Sequence, residues 1–178
     1  MKKIGLTLLA GASLLLFAAC GNSSEKAESA ADKEEVIVGL DDTFVPMGFQ
    51  DDQGDIVGFD VDLAKAVFDL TGTKVKFQAI DWSMKETELD NGTIDMIWNG
   101  YTKTEAREKK VLFSDTYMEN KQVLVTAKDS NITSFDAMKD KVLGAQEGSS
   151  GYDTFNNQPE VLKDIVADNE ATLYASFN

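Results

Sequence analysis

The sequence predicts an α/β protein whose two lobes each contain a largely parallel sheet. The first observation behind this prediction is the β-branched run VIVGL at 36–40, which is typical of a strand buried in a parallel sheet. The second is the alternation of such strands with helical patterns, which indicates right-handed crossovers. The third is a restart of this alternation after residue 118. We therefore expect residues 36–118 to form lobe one and residues 119–178 to form lobe two.

The segment after the first predicted strand leads into an amphipathic helix. Residues 41–58 are polar and turn-rich, and Gln53-Gly54 predicts a hairpin within them. A helix is predicted over 60–72, with Asp60 as its N-terminal cap and Gly72 as its end. Apolar residues recur along it at helical spacing, at Leu63, Ala66, Val67 and Leu70.

The alternation of strand and helix continues to residue 98. The pattern predicts a strand at 74–80, a short helix at 82–89 that Asn91-Gly92 stops, and a strand at 93–98. Together with the first strand, these segments make up the predicted sheet of lobe one.

Lobe two is predicted from a shorter stretch of the chain. Strands are expected at 122–127 and 142–146, with a helix near 134–139 and another that begins near Ser149. The residues ATLYASFN at 171–178 begin a further strand. A lobe of about sixty residues is smaller than most independent cores. We therefore interpret lobe two as incomplete and the chain as a shortened form.

The N-terminus has the pattern of an export signal. Lys2 and Lys3 precede an apolar stretch, and residues 1–19 read as a signal peptide. The stretch is short for a membrane-spanning helix. Cys20, the only cysteine, is either an unpaired thiol or a lipidation site, and its place directly after the signal favours a lipidated N-terminus. Residues 20–35 are then expected to be a disordered spacer between a membrane and the lobes.

The pattern around Cys20 resembles a lipobox, although Phe17 stands where leucine is usual. This resemblance implies acyl chains such as palmitate on a protein tethered to the outer face of a membrane. The expected location is the extracellular face of a Gram-positive-like cell membrane, or the periplasm.

Composition excludes several classes of function. The formal net charge of −14 argues against nucleic-acid binding, which needs clustered lysine and arginine. Histidine is absent, which excludes histidine-based triads and histidine-rich zinc sites. Glycine-rich phosphate loops are absent too. The acidic cluster at 51–62 lacks the EF-hand pattern and is better explained as a solvated turn. We expect no metal and no cofactor, whereas hydrolysis by a carboxylate pair stays open.

Four loops are candidates for a binding cleft, because ligands of open α/β sheets lie beyond the carboxyl ends of the strands. These loops are Asp41 to Phe44, Asp81-Trp82, Asn99 to Thr102, and Gly148 to Gly151. Phe44 and Trp82 are either aromatic walls of such a cleft or core residues. The last loop opens a helix, so it is either an anion seat or a plain N-cap.

Arg107 is the only arginine in a chain that otherwise uses lysine. Thr102 and Glu105 have the spacing of a capping box, which predicts a short helix carrying Arg107 in its first turns. A guanidinium matches a carboxylate with two parallel hydrogen bonds, and a lysine ammonium does not. Arg107 is therefore either a carboxylate-binding residue or half of an ordinary surface salt bridge with a neighbouring glutamate.

Three ordered motifs resemble one known family. They are GFDVDLA at 58–64, the pattern G-x-T-x-T-x-x-R at 100–107 followed by VLFSDTY at 111–117, and LGAQEGSSG at 143–151. These segments resemble the bacterial extracellular solute-binding proteins of family 3, the amino-acid receptors of ABC importers. Phe68 departs mildly from the family's helix motif. The resemblance implies the two-lobe type II periplasmic-binding fold.

The resemblance also implies a role for each matching residue. Arg107 would bind the α-carboxylate of the ligand together with Thr102 and Ser150, and the Gly100 carbonyl would accept from the α-ammonium. Phe44 and Trp82 would sandwich the ligand side chain, and Asp41 would face its polar end. The complete set of expected ligand-binding residues is Asp41, Phe44, Trp82, Asn99, Gly100, Thr102, Arg107, Ser149 and Ser150.

The function implied is an amino-acid receptor that closes about a hinge and acts as a monomer with an ABC permease. The expected ligand is glutamine, cystine or a basic amino acid. The resemblance places a further aspartate that binds the ammonium beyond Asn178. Two alternatives stay open at this point, a cyclohexadienyl-dehydratase-like enzyme on the same fold and a surface module that binds a protein partner.

Overall fold

The computed structural model describes residues 33–177. The predicted signal peptide, the lipidation site Cys20 and the spacer up to residue 32 lie outside the described residues. In the described range, none of the helices is both long and apolar enough to span a bilayer.

A three-stranded parallel sheet forms the N-terminal part of the structure. Its strands are β1 (Glu35–Leu40), β5 (Lys74–Ala79) and β6 (Met96–Ile97), and β1 lies in the middle. Val36, Val38 and Leu40 of β1 are fully buried, as expected of a central strand covered on both faces. The predicted parallel sheet is confirmed, although β6 is shorter than the strand predicted at 93–98.

The turn-rich segment after β1 forms a small antiparallel sheet. It contains β2 (Thr43–Phe44), β3 (Gly48–Gln50) and β4 (Ile56–Val57). The predicted hairpin at Gln53-Gly54 is confirmed, since it joins β3 to β4.

Helix α1 (Phe59–Thr71) follows this sheet and ends at Gly72, as predicted. The prediction that Asp60 caps the helix is wrong, because Gly58 occupies the N-cap position. A Cβ atom at Gly58 would lie 2.4 Å from the carbonyl oxygen of Met47, so only glycine fits there. Asp60 is instead buried in the first turn, and its Oδ1 accepts a hydrogen bond from the Tyr117 hydroxyl at 2.7 Å.

The apolar face predicted for α1 is buried only near the start of the helix. Val61 and Ala64 are buried, whereas Val67 is 39% exposed and Leu70 is 89% exposed. Helix α1 packs against β3, β4 and β5.

Two short helices complete the N-terminal part. A 3₁₀ turn at Trp82–Met84 leads into α2 (Lys85–Asp90), whose C-cap is Asn91. Helix α3 (Glu105–Glu108) carries Arg107. The predicted capping box is wrong in register, because the N-cap is Thr104, whose hydroxyl accepts from the backbone N–H of Arg107.

The C-terminal part has its own parallel pair of strands. Strand β7 (Leu143–Gln146) pairs with β8 (Ala171–Tyr174), and α4 (Ser150–Asn157) follows β7. Met138, Phe155 and Val166 form the buried core of this part.

Two elements predicted for the C-terminal part differ in the structure. Residues 122–127 form no strand, because no other strand within residues 33–177 pairs with them. Val123 and Val125 are 76% and 84% exposed, while Leu124 packs against the core. The helix predicted near 134–139 is a single 3₁₀ turn, Asp136–Met138.

Candidate ligand-binding site

A cavity lies between the N-terminal and C-terminal parts. Its volume is about 1090 Å³, within reach of sizes that hold small molecules. It lies at the carboxyl ends of β1, β6 and β7, where ligands of open α/β sheets are expected to bind. All nine residues predicted from the sequence line it, namely Asp41, Phe44, Trp82, Asn99, Gly100, Thr102, Arg107, Ser149 and Ser150.

Arg107 is buried rather than on the surface. Its side chain is 6% exposed, and its guanidinium lies over the Tyr101 ring with Cζ 4.8 Å from the ring centre. Such stacking favours a planar, weakly hydrated cation and explains why arginine suits this position. The alternative of a surface salt bridge with a neighbouring glutamate does not describe this geometry.

The guanidinium joins the two parts of the structure. Its Nη1 donates to the Thr102 carbonyl at 3.0 Å, within the N-terminal part. Its Nη2 donates to the Gly148 carbonyl at 3.1 Å and to Oδ2 of Asp153 at 3.2 Å, both in the C-terminal part. The only arginine of the chain therefore lies at the centre of the cleft.

Hydroxyl groups meet beside Arg107. The Ser150 hydroxyl donates to Oγ1 of Thr102 at 3.1 Å, and the Gln122 amide donates to Ser150 at 2.9 Å. Ser149 acts as the N-cap of α4, since its hydroxyl accepts from the backbone N–H of Tyr152. The cap interpretation thus describes Ser149, while Ser150 reaches across the cleft to Thr102.

Asp41 is a second buried charge in the cavity. It is 5% exposed, and its Oδ1 accepts from the backbone N–H and the hydroxyl of Thr43 at 2.9 and 2.7 Å. Its Oδ2 accepts from Nε2 of Gln146 at 2.6 Å. Asn99 Oδ1 accepts from the Asp41 backbone N–H at 3.2 Å. No lysine or arginine among residues 33–177 lies within 4.0 Å of this carboxylate, so its charge is uncompensated there.

Gln146 was missed by the sequence reasoning. It is 7% exposed and spans from Asp41 to the C-terminal part, where its Nε2 also donates to the Ala175 carbonyl at 3.2 Å. The signal that could have found it is its position as the last residue of the predicted strand VLGAQ, because side chains at that end of a parallel strand face the cleft.

Aromatic rings line the cavity on several sides. Phe44 stacks on Phe177 with ring centres 5.2 Å apart, and Trp82, 7% exposed, meets Tyr101 edge to face at 5.7 Å. Phe44 also packs against Gly100, where a Cβ atom would lie 3.0 Å from its ring. The sequence reasoning identified Phe44 and Trp82 but not their ring partners.

Lys85 is a buried cation that the sequence analysis did not predict. Its side chain is 2% exposed, and Nζ donates to the carbonyls of Trp82 and Gly148 at 3.1 and 3.0 Å. The Gly148 carbonyl therefore accepts from Lys85 and Arg107 together. Burial lowers the pKa of Lys85, and the nearby Glu86 carboxylate opposes this shift.

Glu86 and Tyr101 support these two cations. The Tyr101 hydroxyl donates to Oε1 of Glu86 at 2.8 Å, and Glu86 Oε2 lies 3.4 Å from Nζ of Lys85. Burial alone would raise the pKa of Glu86, but the bond from Tyr101 and the charge of Lys85 together lower it. Burial and the bond to Glu86 raise the pKa of Tyr101. Between residues 33 and 177, no group of three or more aspartate, glutamate, histidine or cysteine side chains is arranged to hold a metal ion.

Curated relatives of this chain are amino-acid-binding proteins. The arginine-binding extracellular protein ArtP of Bacillus subtilis is 38% identical over 150 residues, which cover 84% of this chain and 57% of ArtP. The histidine-binding periplasmic protein of Escherichia coli K12 is 32% identical over 181 residues, which cover 99% of this chain and 66% of that protein. This chain thus spans about three fifths of the length of such relatives.

A solved structure shares the fold. A substrate-binding protein of an ABC uptake transporter from Streptococcus pneumoniae, solved with bound histidine, has 55% sequence identity and a TM-score of 0.80. The match covers 82% of this chain and 59% of that one. The predicted α/β fold is therefore confirmed. It is the two-lobe type II periplasmic-binding fold, of which this chain represents a part. Family members are extracellular or periplasmic proteins. Because the model of the bacterial extracellular solute-binding proteins, family 3, matches residues 36–178, the chain belongs to that family.

Proposed function

We propose that this chain is the receptor of an ABC importer and binds a polar amino acid in the cavity between its two parts. One observation carries the proposal: a buried arginine and a buried, uncompensated carboxylate line the same cavity. A free amino acid carries a carboxylate at one end and, in the basic and amide members, a cation or hydrogen-bond donor at the other.

The carboxylate of the ligand binds at Arg107. The guanidinium provides the planar donor pair that fits a carboxylate, and the hydroxyls of Thr102 and Ser150 lie beside it. Ser149 caps the helix that points its N-terminus towards this place, which favours an anion. The carbonyl of Gly100 accepts a hydrogen bond from the α-ammonium. Asn99 helps to position the loop after β1, since its Oδ1 accepts from the backbone N–H of Asp41.

The side chain of the ligand points to Asp41. Phe44 and Trp82 enclose its apolar stem, and a cationic or amide group neutralises or donates to the carboxylate. Glutamine, cystine and the basic amino acids all have such groups. The uncompensated charge of Asp41 favours the basic class, in keeping with the arginine and histidine named for relatives.

Binding closes the cleft about a hinge. We assign lobe one to residues 36–118 and lobe two to residues 119–178, which is supported by the absence of strands and α-helices between Glu108 and Leu143 within the described residues. Each lobe offers part of the ligand's contacts, so a bridging ligand favours the closed form. An ABC permease then recognises the closed form.

The receptor acts as a monomer held at the outer face of a membrane by acyl chains on Cys20. The export pattern of residues 1–19 and the cysteine that follows it support this anchor. We also propose that the cavity binds its ligand without turnover, since the relatives above are named for binding.

Ligand-dependent thermal melting of the full chain tests the receptor function. Each proteinogenic amino acid and cystine is added in turn, and a ligand that binds the folded state raises the midpoint by mass action. We expect a shift with a few polar amino acids, and unchanged ligand by mass spectrometry after incubation. A melt that no amino acid shifts contradicts the receptor function, and conversion of prephenate or arogenate contradicts binding without turnover.

A further inference from the structure

Arg107 has an anionic partner within the protein itself. Its Nη2 lies 3.2 Å from Oδ2 of Asp153 and donates to it. The same nitrogen donates to the Gly148 carbonyl, and Nη1 donates to the Thr102 carbonyl. The guanidinium is therefore bonded on two of its nitrogens to groups of the protein itself.

Asp153 is the group among these that most resembles a ligand. It carries a carboxylate, as the main chain of a free amino acid does, whereas Gly148 and Thr102 present neutral carbonyls. Asp153 belongs to the first turn of α4, three residues after Ser150, and it lines a second, smaller cavity together with Thr102, Arg107 and Ser150. A carboxylate of the ligand needs the same donors.

Asp153 can leave Arg107 at little cost. Its side chain is 50% exposed, whereas that of Arg107 is 6% exposed. A half-exposed carboxylate regains hydration when it moves away, and ion pairs of this kind contribute little net free energy. The buried guanidinium, by contrast, needs an acceptor at all times, because an unpaired buried charge is costly.

We propose that Asp153 is an affinity-determining residue that competes with the carboxylate of the ligand for Arg107. The inference rests on the proposed function, because it concerns the same carboxylate position. Where the two parts are in contact, Asp153 keeps the guanidinium paired and oriented, and an incoming carboxylate displaces it. Each binding event therefore exchanges one ion pair for another, which lowers the affinity below that of an unopposed arginine.

Isothermal titration of the full chain with L-arginine, L-histidine, L-glutamine and cystine tests this competition. Asp153→Asn keeps the size of the side chain but removes its charge, and Asp153→Glu keeps the charge. Asp164→Asn is the matched control, since Asp164 is an exposed aspartate of the same C-terminal part. Agmatine, which is arginine without its carboxylate, serves as a probe that cannot use Arg107 in this way.

The expected result is tighter binding of the carboxylate ligand by Asp153→Asn, by roughly two- to fivefold, the range of one partly exposed ion pair. Asp153→Glu and Asp164→Asn are expected to bind like the wild type. Agmatine is expected to gain nothing from Asp153→Asn, because the loss of a negative charge only weakens its attraction to the cleft.

Equal or weaker binding by Asp153→Asn, with wild-type binding intact, overturns the competition and leaves the receptor function standing. An equal gain in Asp164→Asn also overturns it, because the effect would then be general electrostatics. If neither the wild type nor Asp153→Asn binds any of the four amino acids, both the competition and the proposed receptor function fail.

Discussion

Replacing Arg107 with lysine keeps the positive charge of the cleft but removes the planar guanidinium. The two terminal nitrogens of Arg107 bond the Thr102 carbonyl and the Gly148 carbonyl at the same time, at 3.0 and 3.1 Å. A lysine ammonium is a single donor centre and does not present the parallel pair of N–H groups that a carboxylate accepts. We therefore expect Arg107→Lys to weaken the binding of the amino acid while leaving the net charge unchanged.

The structure gives the size of this effect. Loss of one charge-assisted hydrogen bond costs about 1.5 kcal/mol. This loss corresponds to a Kd roughly tenfold higher.

Isothermal titration of the full chain with the amino acid that shifts the melt measures this change. Lys128→Arg is the matched control, since it makes the reverse exchange at an exposed residue. Circular dichroism of each variant checks that the fold is retained. A folded Arg107→Lys variant that binds as tightly as the wild type refutes the assignment of Arg107 to the carboxylate.

Three further substitutions test the surroundings of the cleft. Lys85→Met leaves the carbonyls of Trp82 and Gly148 without this donor, and we expect the free energy of unfolding in urea to fall by about 2 kcal/mol. An unchanged value would contradict the role of Lys85. Gly148→Ala adds a Cβ 2.9 Å from Cα of Ser83, which lies across the cleft, at a backbone φ of +69°. This contact opposes closure of the cleft, so we expect a Kd roughly tenfold higher by titration; an unaltered Kd would count against it. Burial raises the pKa of Asp60, although the bond from Tyr117 lowers it. The protonated Asp60 carboxyl is therefore more favourable in the folded state than in the unfolded state. Its contribution to the free energy of unfolding is present below pH 3.8 and is lost as the pH rises from 3.8 through the pKa of the folded state. In urea melts, the free energy of unfolding of Asp60→Asn should therefore rise relative to that of the wild type as the pH increases over this range. A difference between the two proteins that does not change with pH would refute the raised pKa.

The sequence predicted the elements whose signals are local. The buried strand β1, the helix that ends at Gly72 and the turn at Gln53-Gly54 each follow from their own residues and lie where expected. The cleft was predictable for a related reason, because the ends of parallel strands meet at one edge of a sheet. The loops after β1 and β7 therefore pointed to Asp41 and Ser150.

Features that depend on partners distant in the chain were not predictable. Residues 122–127 have the composition of a strand, but a strand forms only beside a neighbour that completes its hydrogen bonds. Aspartate is a residue type that commonly caps helices, but Asp60 is buried and its carboxylate accepts a hydrogen bond from the Tyr117 hydroxyl instead. Lys85 lies on a short polar helix, and its burial arises from the carbonyl of Gly148, which lies 63 residues away in the sequence.

The bonds across the cleft decide which ligands it can hold tightly. Contacts that the two parts make with each other, such as those of Lys85 and Arg107 to Gly148, do not add to affinity where they are the same in the free and bound states, because affinity counts only differences between those states. The ligand gains most where the described residues leave a buried charge without a counter-charge, and that place is Asp41. An apolar side chain would bury this carboxylate further without a counter-charge, at a cost in desolvation. A basic side chain neutralises it, and glutamine only donates a hydrogen bond. We therefore expect titrations to give the tightest binding for a basic amino acid, weaker binding for glutamine and the weakest for leucine.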